Sequence, residues 1–173
     1  MRSPTLLSAH LVCRGAATEA AKEGYPATAF SGHTGSQKSY TELYSDPDSS
    51  TSESAWIYAA LTVYYTETLL ASGASPLLPA GVIVNVNYPS TSGCSDVSDY
   101  EWVFARNLAG SDTDYETCGS TTLPTEESVV DTDGCYVSVS VLNATTKTDV
   151  DASLQGDVYT RLTGLPFSCL PSS

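Results

Sequence analysis

Four Asp-x-Asp pairs are the first residues whose type and spacing suggest chemistry: Asp46 and Asp48, Asp112 and Asp114, Asp131 and Asp133, Asp149 and Asp151. Paired carboxylates can hold a hard divalent cation or share general acid and base work. Each pair lies among Ser, Thr and Gly, however, and no two Asp are adjacent anywhere in the chain. Solvated turns are the expected reading, and the Gly and Glu of an EF-hand loop are absent. The two histidines are His10 and His33. His33 completes Ser31-Gly32-His33, which stands at the end of the strand-like run PATAFS and just past it. Loops after parallel strands are where α/β sheets bind ligands, so these three residues are the candidate pocket rim. Asn85 and Asn87 in VNVN have the look of ligands, but hydrogen bonding beside a sheet is the simpler role. No GxSxG sequence exists to support a Ser-His-Asp hydrolase.

Five cysteines are present, and none shows the CxxC spacing of a zinc site. Cys94, Cys118, Cys135 and Cys169 are read as disulfide-forming. Four cysteines allow three pairings, and joining sequence neighbours (Cys94 to Cys118, Cys135 to Cys169) is the expectation. Cys13 is left over. Asn143 opens the sequon NAT, an acceptor for N-glycosylation. Cysteines and sequon together suggest an extracellular chain, although MRSPTLLSAHLV is not a convincing signal peptide.

The 173 residues are enough for one domain, and 41% are hydrophobic. Twenty acidic residues against seven basic ones give a formal charge of −13, and Arg2, Arg14, Lys22, Lys38, Arg106, Lys147 and Arg161 are scattered singly. Without a basic cluster, neither a nucleic-acid polymer nor an anionic membrane is an expected partner. No run reaches the roughly 20 apolar residues of a membrane span.

The elements that would position the candidates follow from periodicity. Residues 15–23 read as an alanine-faced helix stopped by Gly24, and 26–31 as a short buried strand. A long helix is expected over 53–72, with a capping box from Ser50 to Glu53 and Ile57, Leu61 and Tyr64 sharing a face. LPAGVIVNVNYP reads as an interior strand, apolar on both faces. Further strands are expected over 101–107 and 136–143, and the Ser alternation of YVSVSVLN predicts one exposed face. Residues 108–134 read as a polar loop, and 151–162 as a last helix. Helix and strand in alternation indicate an α/β domain with a mostly parallel sheet.

GAATEAAKEGYPATAFSG, then LPAGVIVNVNYP, then DGCYVSVSVLNATTKTDVDAS resemble, in that order, the SurE family of metal-dependent phosphatases and 5′-nucleotidases, most closely its secreted fungal branch. The resemblance implies a three-layer, doubly wound, mostly parallel sheet with a carboxy-terminal β extension. It implies hydrolysis of a phosphomonoester or nucleotide with Mg²⁺ or Mn²⁺. It covers 15 to about 153, so 15–173 reads as a partial SurE-like domain and 1–14 as an unrelated or mis-joined leader. The family's leading strands, its paired-aspartate NDDG motif, its G.N.G.N asparagine and its SGTVG segment have no counterpart here. Leu11 to Arg14, LVCR, stand where SGTV is expected. The resemblance therefore implies a phosphomonoesterase by lineage, with no retained catalytic or metal residues, no metal bound by this chain and little or no activity of its own. The alternative is a non-catalytic oligomerisation remnant, associating through YVSVSVLN.

Overall fold

The computed structural model describes residues 14–33 and 38–171. Residues 1–13, including His10, Cys13 and most of the expected leader, lie outside the described residues. Helix α1 occupies 14–22 and ends at Gly24, whose φ of +88° suits a glycine stop. Strand β1 (Ala27–Gly32) follows, then a one-turn helix α2 (Glu42–Ser45) and the long α3 (Ser50–Ala71). Strand β2 (Val82–Tyr88), a 3-10 turn (Val97–Asp99), β3 (Glu101–Ala105), a short α4 (Glu126–Val130), β4 (Tyr136–Asn143) and α5 (Ala152–Arg161) complete the order.

The strands form one mixed sheet in the order β1-β2-β4-β3, with β1 parallel to β2, β3 parallel to β4, and β2 antiparallel to β4. Parallel neighbours need a long crossover. Helix α3 lies in the first crossover, between β1 and β2, and the segment carrying α4 forms the second. The chain is thus α/β, with helices on both faces of a mostly parallel sheet. On one face Val84, Val86, Val139, Val141, Trp102 and Phe104 pack with Leu61, Tyr65 and Leu69 of α3 and Val158 and Leu162 of α5. On the other, α1 sets Ala17 and Ala21 against Ala29, Ile83 and Leu142, while Val129 of α4 covers Val103 and Ala105.

Several expectations change on folding. Helix α3 begins at Ser50, capped by the Ser49 side chain accepting from Ser52 N at 3.3 Å, not through a Ser50–Glu53 box. Its inward residues are Leu61, Tyr65 and Leu69, while Tyr64 lies near the surface. Being apolar nearly all round, the helix has no single face legible from its sequence. Strand β4 is buried on both sides, with Ser138 and Ser140 inaccessible to solvent, so its serines do not mark an exposed face. Nor is YVSVSVLN free to pair with another chain, because β2 and β3 flank it. No strand follows β4 among the described residues. In place of a β extension, the chain after α5 runs beside β3, where Ser168 N donates to the Trp102 carbonyl at 2.8 Å.

Residues 108–134 hold α4 and are otherwise irregular and mostly exposed, but they are anchored at a buried point. Arg106, buried at the end of β3, pairs at 3.0 Å with Asp114, which is also buried. Asp114 further accepts from Leu123 N at 3.0 Å and Gln155 Nε2 at 2.9 Å, which ties the segment to α5. Asp149 accepts from the backbone of Asn107 and Leu108, and Asp151 caps α5 by accepting from Leu154 N. Asp114 is thus an interior acceptor and Asp149 a half-buried one, whereas Asp151 caps α5 from an exposed position and Asp46, Asp48, Asp112, Asp131 and Asp133 are exposed.

The disulfides are Cys94–Cys135 and Cys118–Cys169, not the sequence-neighbour pairs. Cys94 precedes β3 and Cys135 precedes β4, and the parallel register that sets Glu101 opposite Tyr136 brings the starts of both strands together. Among the described residues no helix is long and apolar enough to cross a membrane.

Candidate functional site

Strands β1 and β2 run parallel, so their carboxyl ends share one edge, the end at which open α/β sheets bind ligands. Side chains alternate there between the two faces. One face carries a polar row that runs from the half-buried Ser31 inward: Ser31 Oγ donates to Asn87 Oδ1 at 2.8 Å, and Asn87 Nδ2 donates to the buried Ser138 Oγ at 3.0 Å. The row crosses three adjacent strands. A second cluster lies one pleat further in. Asn85 Nδ2 donates to Glu126 Oε1 at 2.8 Å, and Ser140 Oγ donates to the same oxygen. Glu126 opens α4 and is buried, and Asn85 Oδ1 is buried without a hydrogen-bond partner.

The other face opens into a cleft of about 360 Å³ lined by Phe30, Ser31, Gly32, Tyr58, Ala59, Thr62 and Tyr88. Its walls are aromatic. Tyr58 and Tyr88 stack with ring centres 5.4 Å apart, and Phe30 lies parallel to Tyr88 at 6.2 Å. The Tyr58 hydroxyl donates to the Pro89 carbonyl at 2.8 Å, and the Tyr88 and Thr62 hydroxyls meet at 2.9 Å. Gly32 is needed for space: a Cβ there would stand 2.4 Å from Tyr58 Cε2. Burial pushes the Tyr88 phenol well above the usual tyrosine value, and its hydrogen bond with Thr62 offsets only part of that rise. The phenol is therefore neutral at physiological pH and can donate or accept a hydrogen bond, but carries no charge.

Of the residues expected at the rim, Ser31 and Gly32 line the cleft. His33 is exposed, is not among the lining residues, and meets this edge through its backbone N–H, which donates to the Tyr88 carbonyl at 3.0 Å. Asn143 ends β4 half-buried, its side-chain oxygen accepting from Thr145 N and Thr146 N. The cleft also uses Tyr58 and Thr62, one turn apart on α3, which sequence reasoning assigned no role. Their i, i+4 spacing was visible, but their orientation toward Gly32 was not.

The donor set bears on a metal. Hydroxyls of Tyr58, Thr62 and Tyr88 are the side-chain oxygens on this face, Ser31 Oγ being turned to Asn87 on the other, and no carboxylate lines the cleft. Among the described residues no three His, Cys, Asp or Glu converge. Divalent Mg²⁺ or Mn²⁺ takes carboxylate oxygens, so these lining residues do not fit it.

No family model matches this chain, and no curated protein or solved structure is significantly similar to it.

Proposed function

We propose that this chain is a SurE-like domain by lineage, from divalent-metal-dependent phosphomonoester hydrolases of the acid phosphatase and 5′-nucleotidase type. In this reading the described residues supply a substrate-side wall, and the chain alone turns over little or nothing. The observation that carries the reading is the meeting of Ser31 and Asn87 at the carboxyl ends of adjacent parallel strands, beside an open aromatic cleft. Hydroxyls there can orient an ester and its ring, but the site lacks carboxylates to hold a cation or deprotonate water. Two disulfides and the Asn143 sequon support an extracellular setting.

The test is hydrolysis of a chromogenic phosphomonoester at mildly acidic pH with Mn²⁺ or Mg²⁺, repeated with a chelator, alongside equilibrium dialysis with a nucleoside monophosphate. The expected result is no metal-dependent turnover, with binding that Gly32→Ala weakens. Chelator-sensitive turnover would overturn the inactivity, and absence of binding would overturn the substrate-wall reading.

A further inference from the structure

The two disulfides differ in what they close and in how far solvent reaches them. Cys94 is 2% exposed and Cys135 half-buried, and their bond joins the starts of β3 and β4 against the core. Cys118 and Cys169 are both exposed. Their bond joins a tight turn, in which Thr117 and Ser120 exchange backbone hydrogen bonds, to the segment that follows α5. That segment is a strap along the outer edge of β3. Trp102 N donates to the Pro166 carbonyl at 3.4 Å, and Ser168 N donates to the Trp102 carbonyl at 2.8 Å. Phe167 packs on Phe104 and Tyr159 on one face of the sheet, with ring centres 5.9 and 4.8 Å away. Leu170 packs beside Val103 and Ala105 on the other.

Beyond this packing, the backbone attachment of the strap to β3 is slight: two hydrogen bonds among the described residues, one of them long. Ser168 Oγ is buried there with no hydrogen-bond partner, a cost that ends when the strap lifts into water. The turn at the other end of the disulfide is anchored independently, because Asp114 accepts from Leu123 N and Gln155 Nε2. Breaking the disulfide therefore frees the strap and leaves its anchor in place.

We propose that Cys118–Cys169 is a reducible clasp: while it is closed the strap seals the edge of β3, and its reduction opens that edge with the rest of the sheet intact. The chemistry is exchange with an external dithiol. A thiolate of the reductant attacks one Sγ and the Sγ–Sγ bond breaks. The reductant's second sulfur then displaces the mixed disulfide. The reductant gives up two electrons and two protons and closes its own disulfide, and both cysteines are left as thiols. Attack needs access to sulfur, which the exposed pair offers and the core pair does not. In thiol-poor extracellular surroundings the clasp stays shut. The inference stands apart from the phosphomonoesterase reading, because no residue of the strap lines the cleft.

The test uses the whole chain with any free thiol at Cys13 blocked first. Dithiothreitol is raised stepwise at neutral pH, new thiols are alkylated and mapped by peptide mass, and amide hydrogen exchange is followed in parallel. Cys118 and Cys169 should be alkylated before Cys94 and Cys135. At that stage exchange should quicken at the Trp102 and Ser168 amides, which bond strap to strand, and stay unchanged at Val84 and Val139 in the sheet interior. Cys118→Ser combined with Cys169→Ser should give the same exchange pattern with no reductant. Simultaneous labelling of both disulfides, unaltered exchange at Trp102 and Ser168 once Cys118 and Cys169 are alkylated, or lost protection at Val84 and Val139 in either sample would overturn the proposal.

Discussion

Ser31 and Asn87 face each other across the β1–β2 register, and the serine hydroxyl donates to Asn87 Oδ1 at 2.8 Å. The asparagine passes the contact on through its Nδ2 to the fully buried Ser138. Asn87→Ala removes the acceptor of one hydroxyl and a donor to the other, at a cost of about 1–3 kcal/mol. Urea unfolding should show a lower midpoint with an unchanged slope; an unchanged midpoint would mean the row adds nothing to stability.

Gly32→Ala places a methyl group where the Tyr58 ring now sits, 2.4 Å from Cε2. The ring is held by its bond to the Pro89 carbonyl and its stacking on Tyr88, so it cannot move without losing both. A loss of about 1–3 kcal/mol is expected, as for other overpacking substitutions. Near-ultraviolet circular dichroism should change with it, because the tyrosine stack is disturbed. Retention of the parent spectrum would show that the ring yields freely.

Asp114→Ala leaves the Arg106 guanidinium buried and unpaired and strips acceptors from Leu123 N and Gln155 Nε2. Removing one partner of such a pair costs about 3–5 kcal/mol. Replacing both, as Arg106→Met with Asp114→Leu, should recover part of that loss, because no lone charge then remains inside. A double variant as unstable as the single one would show that the flanking hydrogen bonds, not the ion pair, hold residues 108–125 to α5.

Burial raises the Tyr65 and Tyr88 phenols well above the tyrosine value of about 10 and pushes Tyr100 up to about 12, the last aided by Tyr58 and Asp99. The unfolded chain loses these protons near pH 10 while the folded chain keeps them. It therefore binds fewer protons than the folded chain above that pH, and stability falls as pH rises. The contribution is complete below about pH 10 and declines through pH 12 and beyond. Absorbance at the phenolate band should show part of the tyrosine titration delayed until unfolding. Ionisation of every tyrosine near pH 10 in a still-folded protein would contradict this.

Much of the secondary structure is local and was legible beforehand. Strand β2 shows as VIVNVNY between prolines, α5 starts at its Asp151 cap, and the end of α1 is marked by Gly24. Propensity, capping and apolar run length act over a few residues, so these elements are encoded where they form. The α/β class follows from their alternation, and Ser31 and Gly32, which end a strand with a parallel neighbour, are among the residues lining the cleft.

What the sequence could not decide is what lies opposite each residue. The serines of β4 alternate like those of a solvated strand, yet β2, β3 and Glu126 enclose them. Asp114 sits in a polar stretch like its neighbours and becomes an interior charge only because Arg106 and Gln155 converge on it. Helix α3 is apolar on both sides, and the sheet determines which side is covered. The cysteines pair across 41 and 51 residues because parallel register and the course of the carboxy-terminal segment bring them together. Each of these outcomes depends on contacts between segments distant in the chain. Local periodicity carries no information about them, and burial and hydrogen-bond satisfaction across the whole fold select among the alternatives.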